Sequence, residues 1–211
     1  MTAPLEDGPR AVREPEWLAR ERQRAQEFIG EVAGLDPGQL AAIRRQLDRE
    51  MGERGGCTPW WIYQILARCA SGRPDEERLH LNLAALLSMD RRGLDSIRKG
   101  LPGFSGGFGT TMDALWRATR RSTDTEAQKA ASAPARRLRI LLDTTSPGEL
   151  IFRLRQAVRL ALSKQVGIDW PLLLVHLRHW NDSSKWVQKD WAREFYSARP
   201  PDEDEQTNPE E

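Results

Sequence analysis

Between Pro134 and Tyr196 the chain reads PARRLRILLDTTSPGELIFRLRQAVRLALSKQVGIDWPLLLVHLRHWNDSSKWVQKDWAREFY. Apolar residues recur there every three or four positions over many turns, the signature of amphipathic helices. Arginines take the faces that the apolar residues leave free. Trp170, Trp180, Trp186 and Trp191 fall in the same window, half of the chain's eight tryptophans. A helical core that turns cations outward, with no catalytic set in view, points to a protein that holds a polyanion.

The same pattern extends upstream. Trp17, Leu18, Ala25, Phe28, Ile29 and Val32 form one stripe, which predicts a helix from Pro15 to about Val32, ended by Gly34. Asp36 and Pro37 read as the cap and first residue of a second helix reaching about Met51, with Leu40, Ile43 and Leu47 inward. Thr58-Pro59 opens a third, and Pro74 a fourth. Six glycines from Gly93 to Gly109 predict a loop. No strand precedes that loop and no Gly-Lys-Ser/Thr closes it, so it is not a phosphate-binding loop. Met112 to about Arg121 reads as a short helix, and STDTEAQKAASA as a polar linker. Helices follow at 134–143, from Pro147 to near Gly167, from Pro171 under an Asp169 cap to near Trp180, and from Ser183 to Pro200.

Few residues are β-branched and no apolar/polar alternation appears, so the predicted fold is all-α: a compact bundle of eight or nine helices. Residues 1–14 read as a loose leader and 15–199 as the helical domain. Within it, lobes at 15–92 and 110–199 could be joined by the glycine loop. Residues 200–211 read as a disordered acidic tail. At 211 residues the chain is long enough to bury a sizeable core. No apolar run approaches the ~18 residues of a membrane span, and the N-terminus has neither the basic lead nor the apolar stretch of a secretory signal. Cys57 and Cys69 have no metal-like spacing and read as ordinary buried thiols of a reducing, cytoplasmic compartment.

The net charge of +1 conceals segregation. Asp202, Glu203, Asp204, Glu205, Glu210 and Glu211 follow Pro201 with no base among them; without those six acids the body carries +7. A basic body favours a nucleic-acid partner. The plainer alternative is an arginine-rich solvated surface. The tail reads as a solubility element, or as a cover for the basic face.

Cations three or four residues apart share one helix face; three basic clusters are so spaced, and an adjacent pair makes a fourth. Arg155 and Arg159 form one, Arg136 and Arg139 a second, Arg117, Arg120 and Arg121 a third, and Arg44 with Arg45 a fourth. They line a groove if the bundle gathers them; otherwise they are scattered, or pair with Asp143, Glu149 and Asp48. The tryptophans lie on apolar stripes and read as core. Trp60 and Trp61 differ, because adjacent helical residues point about 100° apart and one of them is free to meet a partner. His176, His179 and Asp182 recur at one-turn spacing, but no further strong ligand is near, so the expectation is no metal and no cofactor. No nucleophile–base pairing and no carboxylate cluster appears, so an enzyme is not expected.

The succession ARRLRILLD, RLRQAVRLAL, IDWPLLLVHLRHW and WAREFY over 134–196 resembles the CasB family, the small subunit of the type I-E CRISPR Cascade complex. AAIRRQLDRE (41–50) and WWIYQILA (60–67) agree more faintly. The resemblance implies a helical, non-catalytic subunit that works as a homodimer among other Cascade subunits. There it would hold guide RNA, target DNA and the displaced strand by their backbones, and so stabilise the R-loop. By position it points to Arg44, Arg45, Arg137 and Arg159. Some members keep a base after the ILL-type turn, where this chain has Asp143 and Thr144. Two readings of other classes stand beside it: a helical protein–protein adaptor without nucleic-acid contacts, and a helix-turn-helix regulator.

Overall fold

The computed structural model describes the backbone of residues 15–50, 59–70 and 72–197, with side chains at all of these except 46–50 and 126. The expected leader, the Thr58 cap, Cys57 and the acidic tail lie outside the described residues. Among the described residues the chain is all helical, with eleven helices and no strand.

Helix α1 (Glu16–Ala33) turns Ala25, Phe28, Ile29, Val32 and Ala33 inward and ends at Gly34. Helix α2 (Pro37–Glu50) opens on a reciprocal box: Gln39 N–H donates to Asp36 Oδ1 at 2.9 Å, and Asp36 N–H to Gln39 Oε1 at 3.0 Å. Helices α3 (Trp60–Cys69) and α4 (Pro74–Leu87) follow as expected. The next stretch departs from the sequence reading. Gly93 lies inside a helix, α5 (Arg91–Arg98), because Asp90 Oδ1 accepts its N–H at 2.8 Å and caps that end. The loop proper is 99–107, and α6 (Phe108–Thr119) starts four residues before Met112.

The expected linker also holds a turn of helix, α7 (Glu126–Lys129), closed by a Thr125–Gln128 capping box. Then come α8 (Ala133–Leu142), α9 (Pro147–Ser163), α10 (Trp170–Arg178) and α11 (Trp186–Tyr196). Helix α9 stops short of Gly167 because Gln165 turns left-handed at φ 61°.

Helix α1 lies across α10, α3 and α5; α2 packs on α4; α6 is clasped by α11 and α8; α8 pairs with α9. One cluster of buried apolar residues, from Ala25 to Phe195, runs through the N- and C-terminal halves alike. Helices α6 and α11 touch through Gly109, where a Cβ would meet the Trp191 carbonyl oxygen at 2.1 Å. The expected tryptophan core is present. Trp170, Trp180 and Trp191 are buried, and each indole N–H has a partner: Asp90 Oδ2, the Thr144 carbonyl and His176 Nδ1, at 2.8–2.9 Å. No helix among the described residues is long and apolar enough to cross a membrane.

Burial holds the His176 imidazole down at about 4, and the charges of Arg22 and His179 push the same way. His80, packed edge-on against Phe28, is lowered for the same leading reason, burial. Both rings are therefore neutral in the folded protein at neutral pH, while the unfolded chain protonates them below the ordinary 6.5. The unfolded state gains protons that the fold excludes, so stability is whole above that value and drains as pH falls. Urea titrations should show His176 alone withdrawing about 3 kcal/mol between pH 7 and 4. A Gly109→Ala protein should lose about 1–3 kcal/mol or more at neutral pH, since the clashing atom is backbone and cannot swing aside.

Candidate nucleic-acid interface

Helices α8 and α9 are joined by only four residues, 143–146, so they run antiparallel as a hairpin. Its bend is held by Trp180, whose indole donates to the Thr144 carbonyl at 2.9 Å. Helix α8 buries Pro134, Ala135, Leu138 and Leu141, which forces Arg136, Arg137, Arg139 and Ile140 into solvent. Helix α9 buries Leu150, Leu154, Ala157, Val158 and Ala161, which leaves Phe152, Gln156 and Arg159 exposed on one row and Arg155 half-buried beside it. Helix α6 packs on both, carrying Arg117, with Arg120 and Arg121 just past its end. Three of the four arginine clusters therefore ride on one three-helix unit. The fourth, Arg44 and Arg45, rides on α2, whose packing partner is α4.

The ten arginines are not equivalent. Arg44 is half-buried; its guanidinium donates to the Ser88 carbonyl and Oγ and so closes the C-terminus of α4. Arg117 pairs with Asp113 at 2.9 Å, and Arg120 lies over the Trp116 ring at 5.1 Å. The exposed Arg121 holds Asp124 only through its backbone N–H, at 2.8 Å. Arg136 donates to the Ala131 carbonyl just before α8 at 2.9 Å and Arg137 to that of Ala133 in its first turn at 3.4 Å, and neither faces an acid among the described residues. Arg45, Arg139 and Arg159 are exposed and make no ion pair with a described residue. The local pairing expected of Glu149 goes to Arg153 at 3.4 Å, not to the candidate arginines.

Two cationic features escaped the sequence reading. Arg91 and Arg92 are exposed on α5, hidden from a periodicity search by the neighbouring glycine. Lys129 is buried. It pairs with Asp113 and sits 4.9 Å from the centres of both the Trp116 and Phe195 rings, pinning α7 to α6 and α11. A polar linker gave no cue that its lysine would be inside.

His176 and His179 are engaged by the fold. His176 accepts from Trp191, and His179 Nε2 lies 2.8 Å from Glu21 Oε2, with the Trp17 ring edge-on beside it. Asp182 accepts from Ser184 N–H and Oγ. Among the described residues no three metal-binding side chains gather. Trp60 and Trp61 divide as their 100° separation demands: Trp60 is 73% exposed, Trp61 packs against the core, and Tyr63 beside them is 49% exposed.

The family model for CRISPR-associated protein Cse2 matches residues 39–196, a span that takes in every candidate arginine. The chain belongs to the Cse2 family. The CRISPR-associated protein Cse2 of Thermus thermophilus is 32% identical over 158 residues, covering 75% of this chain and 78% of that one. The crystal structure of M. ruber CasB superposes with a TM-score of 0.63 at 26% identity, over 83% of this chain and 92% of that one. A chain of a CRISPR RNA-guided surveillance complex shares the fold at a TM-score of 0.55 and 15% identity, over 86% and 93% of the two chains. In this Cse2 chain the family's span ends at Tyr196, where α11 ends.

Arg44 and Arg159 should separate structural from surface arginines. Arg44→Ala should cost about 1–3 kcal/mol in urea denaturation, because a capped helix end loses its charged donor. Arg159→Ala should stay within about 0.5 kcal/mol of the parent.

Proposed function

We propose that this Cse2 chain is the non-catalytic small subunit of a Cascade-type CRISPR surveillance complex, and that it grips nucleic-acid backbones to stabilise the R-loop. Family membership supports the place in the complex. The observation that carries the gripping role is the α8–α9 hairpin, which holds Arg136, Arg137, Arg139 and Arg159 exposed with no acidic partner among the described residues. Unneutralised guanidinium groups on a rigid face bind phosphates and release condensed counterions, without reading bases. That suits a complex in which guide pairing supplies the sequence and the exchange of DNA duplex for heteroduplex is nearly balanced; a few phosphate contacts then tip it. Arg117, Arg120, Arg121 and the half-buried Arg155 extend the surface, and Arg45 is a separate exposed cation on α2. The chain acts as a homodimer beside other subunits, and exposed Trp60 and Tyr63 supply apolar area for a protein neighbour.

The test is a reconstituted complex containing guide RNA and the Arg136→Glu/Arg139→Glu/Arg159→Glu chain. Assembly should survive and target-DNA affinity should fall at least ~10-fold. The slope of log affinity against log salt should flatten by about 0.9 for each phosphate that is no longer neutralised. Unchanged affinity and slope would remove the phosphate-gripping role and leave a protein adaptor.

A further inference from the structure

A crevice of about 880 Å³ opens where α5, the 99–107 loop and the C-terminal end of α9 meet. Its walls are apolar, built from Met89, Ile97, Leu101, Phe104, Leu162 and Val166. The carboxylates at its floor are already engaged: Asp90 holds Trp170 and the start of α5, and Asp169 holds Arg22 and the start of α10. Its mouth is cationic. Arg91 makes no ion pair with a described residue, and Arg92 makes one hydrogen bond, to Gln165 Oε1 at 2.9 Å. Gln165 is one of only two non-glycine residues with positive φ among the described residues, and that turn brings its side chain to Arg92.

The crevice is continuous with the arginine row. Leu162 lines it one helical turn beyond Arg159, roughly 4.5 Å along the axis of α9. Arg92 is tied to the same end of α9 through Gln165, so a strand that runs from Arg159 toward that end meets the crevice mouth. Phosphates at the cationic rim, a flat face against the apolar wall and polar edges toward Gln26, Ser96 and Ser105 match the chemistry of a nucleotide. A peptide would need acids placed for both Arg91 and Arg92, whereas a strand carries a phosphate at every step.

We propose that this crevice receives an unpaired base of a single strand running along α9, so that the chain holds that strand by a base as well as by phosphates. The proposal rests on the reading of the α8–α9 row as a nucleic-acid surface. Contacts of this kind are tolerant of sequence, because every base presents a flat face.

The test compares fluorescein-labelled oligodeoxythymidine with an abasic strand of equal length, bound to the full chain and to two variants. The intact strand should bind roughly fivefold or more tightly than the abasic one. Gly103→Leu places a side chain in the mouth, and nothing lies within 4 Å of the added Cβ, so the fold should be kept, which a thermal melt verifies. It should erase the difference and leave abasic binding unchanged. Arg91→Glu/Arg92→Glu should weaken both strands. Equal binding of intact and abasic strands by the parent, still abolished on reversing Arg136, Arg139 and Arg159, overturns the crevice and spares the interface. Binding of neither strand overturns both. A Gly103→Leu protein that keeps the difference, or that fails in subunit assembly while strand binding is unchanged, also overturns the crevice.

Discussion

Carboxylates at helix N-termini hold this bundle together, and each does so across a long stretch of chain. Asp169 accepts the Leu172 N–H at the start of α10 and also binds Arg22 on α1. Asp90 caps α5 and accepts the Trp170 indole of α10. Glu194, on α11, accepts the N–H groups of Gly107 at 2.9 Å and Thr110 at 3.3 Å, serving the open end of α6. Each negative charge sits where unpaired N–H groups and the helix dipole favour it. Burial still works against Glu194 and raises its carboxyl, with the backbone donors pulling the other way. These junctions set how α1, α5, α6, α10 and α11 meet, and so where the outward faces point.

A second constraint is the aromatic cluster around His176. Trp191, Trp186 and Trp180 surround it or one another at ring separations of 4.9–6.0 Å, which joins α10 to α11. A neutral imidazole is required there because it must accept the indole proton. With the core locked, the arginines divide by burial rather than by sequence. Arg44, Arg98 and Arg178 are committed to carbonyls or to a buried acid, while Arg139 and Arg159 are left to the solvent.

That division bears on function. Packing against α6 and the Trp180 bond at the bend hold the backbone beneath these guanidinium groups, so under the proposed reading little backbone ordering adds to the cost of binding. The same hairpin ends at the crevice beside α5. An exposed arginine row and a recess then lie in sequence along α9, the arrangement on which the proposed strand contacts rest.

Much of this was legible in the residues alone. Apolar spacing located α1, α2, α4 and α8–α11, because a helix that must bury one face shows its period in any window long enough. The Asp36 and Asp169 caps were readable because capping is local chemistry. The outward position of Arg136, Arg139 and Arg159 followed from the same rotation. What periodicity could not reach were α5 and α7, whose short spans are stabilised by caps and by distant packing rather than by a long stripe. The inward turn of Lys129 depended on Asp113 and two aromatic rings remote in sequence. The closure of α4 by Arg44 depended on α2 landing there. The crevice with Arg91 and Arg92 exists only where three separate segments converge. The sequence by itself thus determined which residues face in or out on the long helices, since that depends on rotation along one chain segment. The tertiary structure alone decided which outward cations are engaged and which remain available, since that depends on what lies opposite in space.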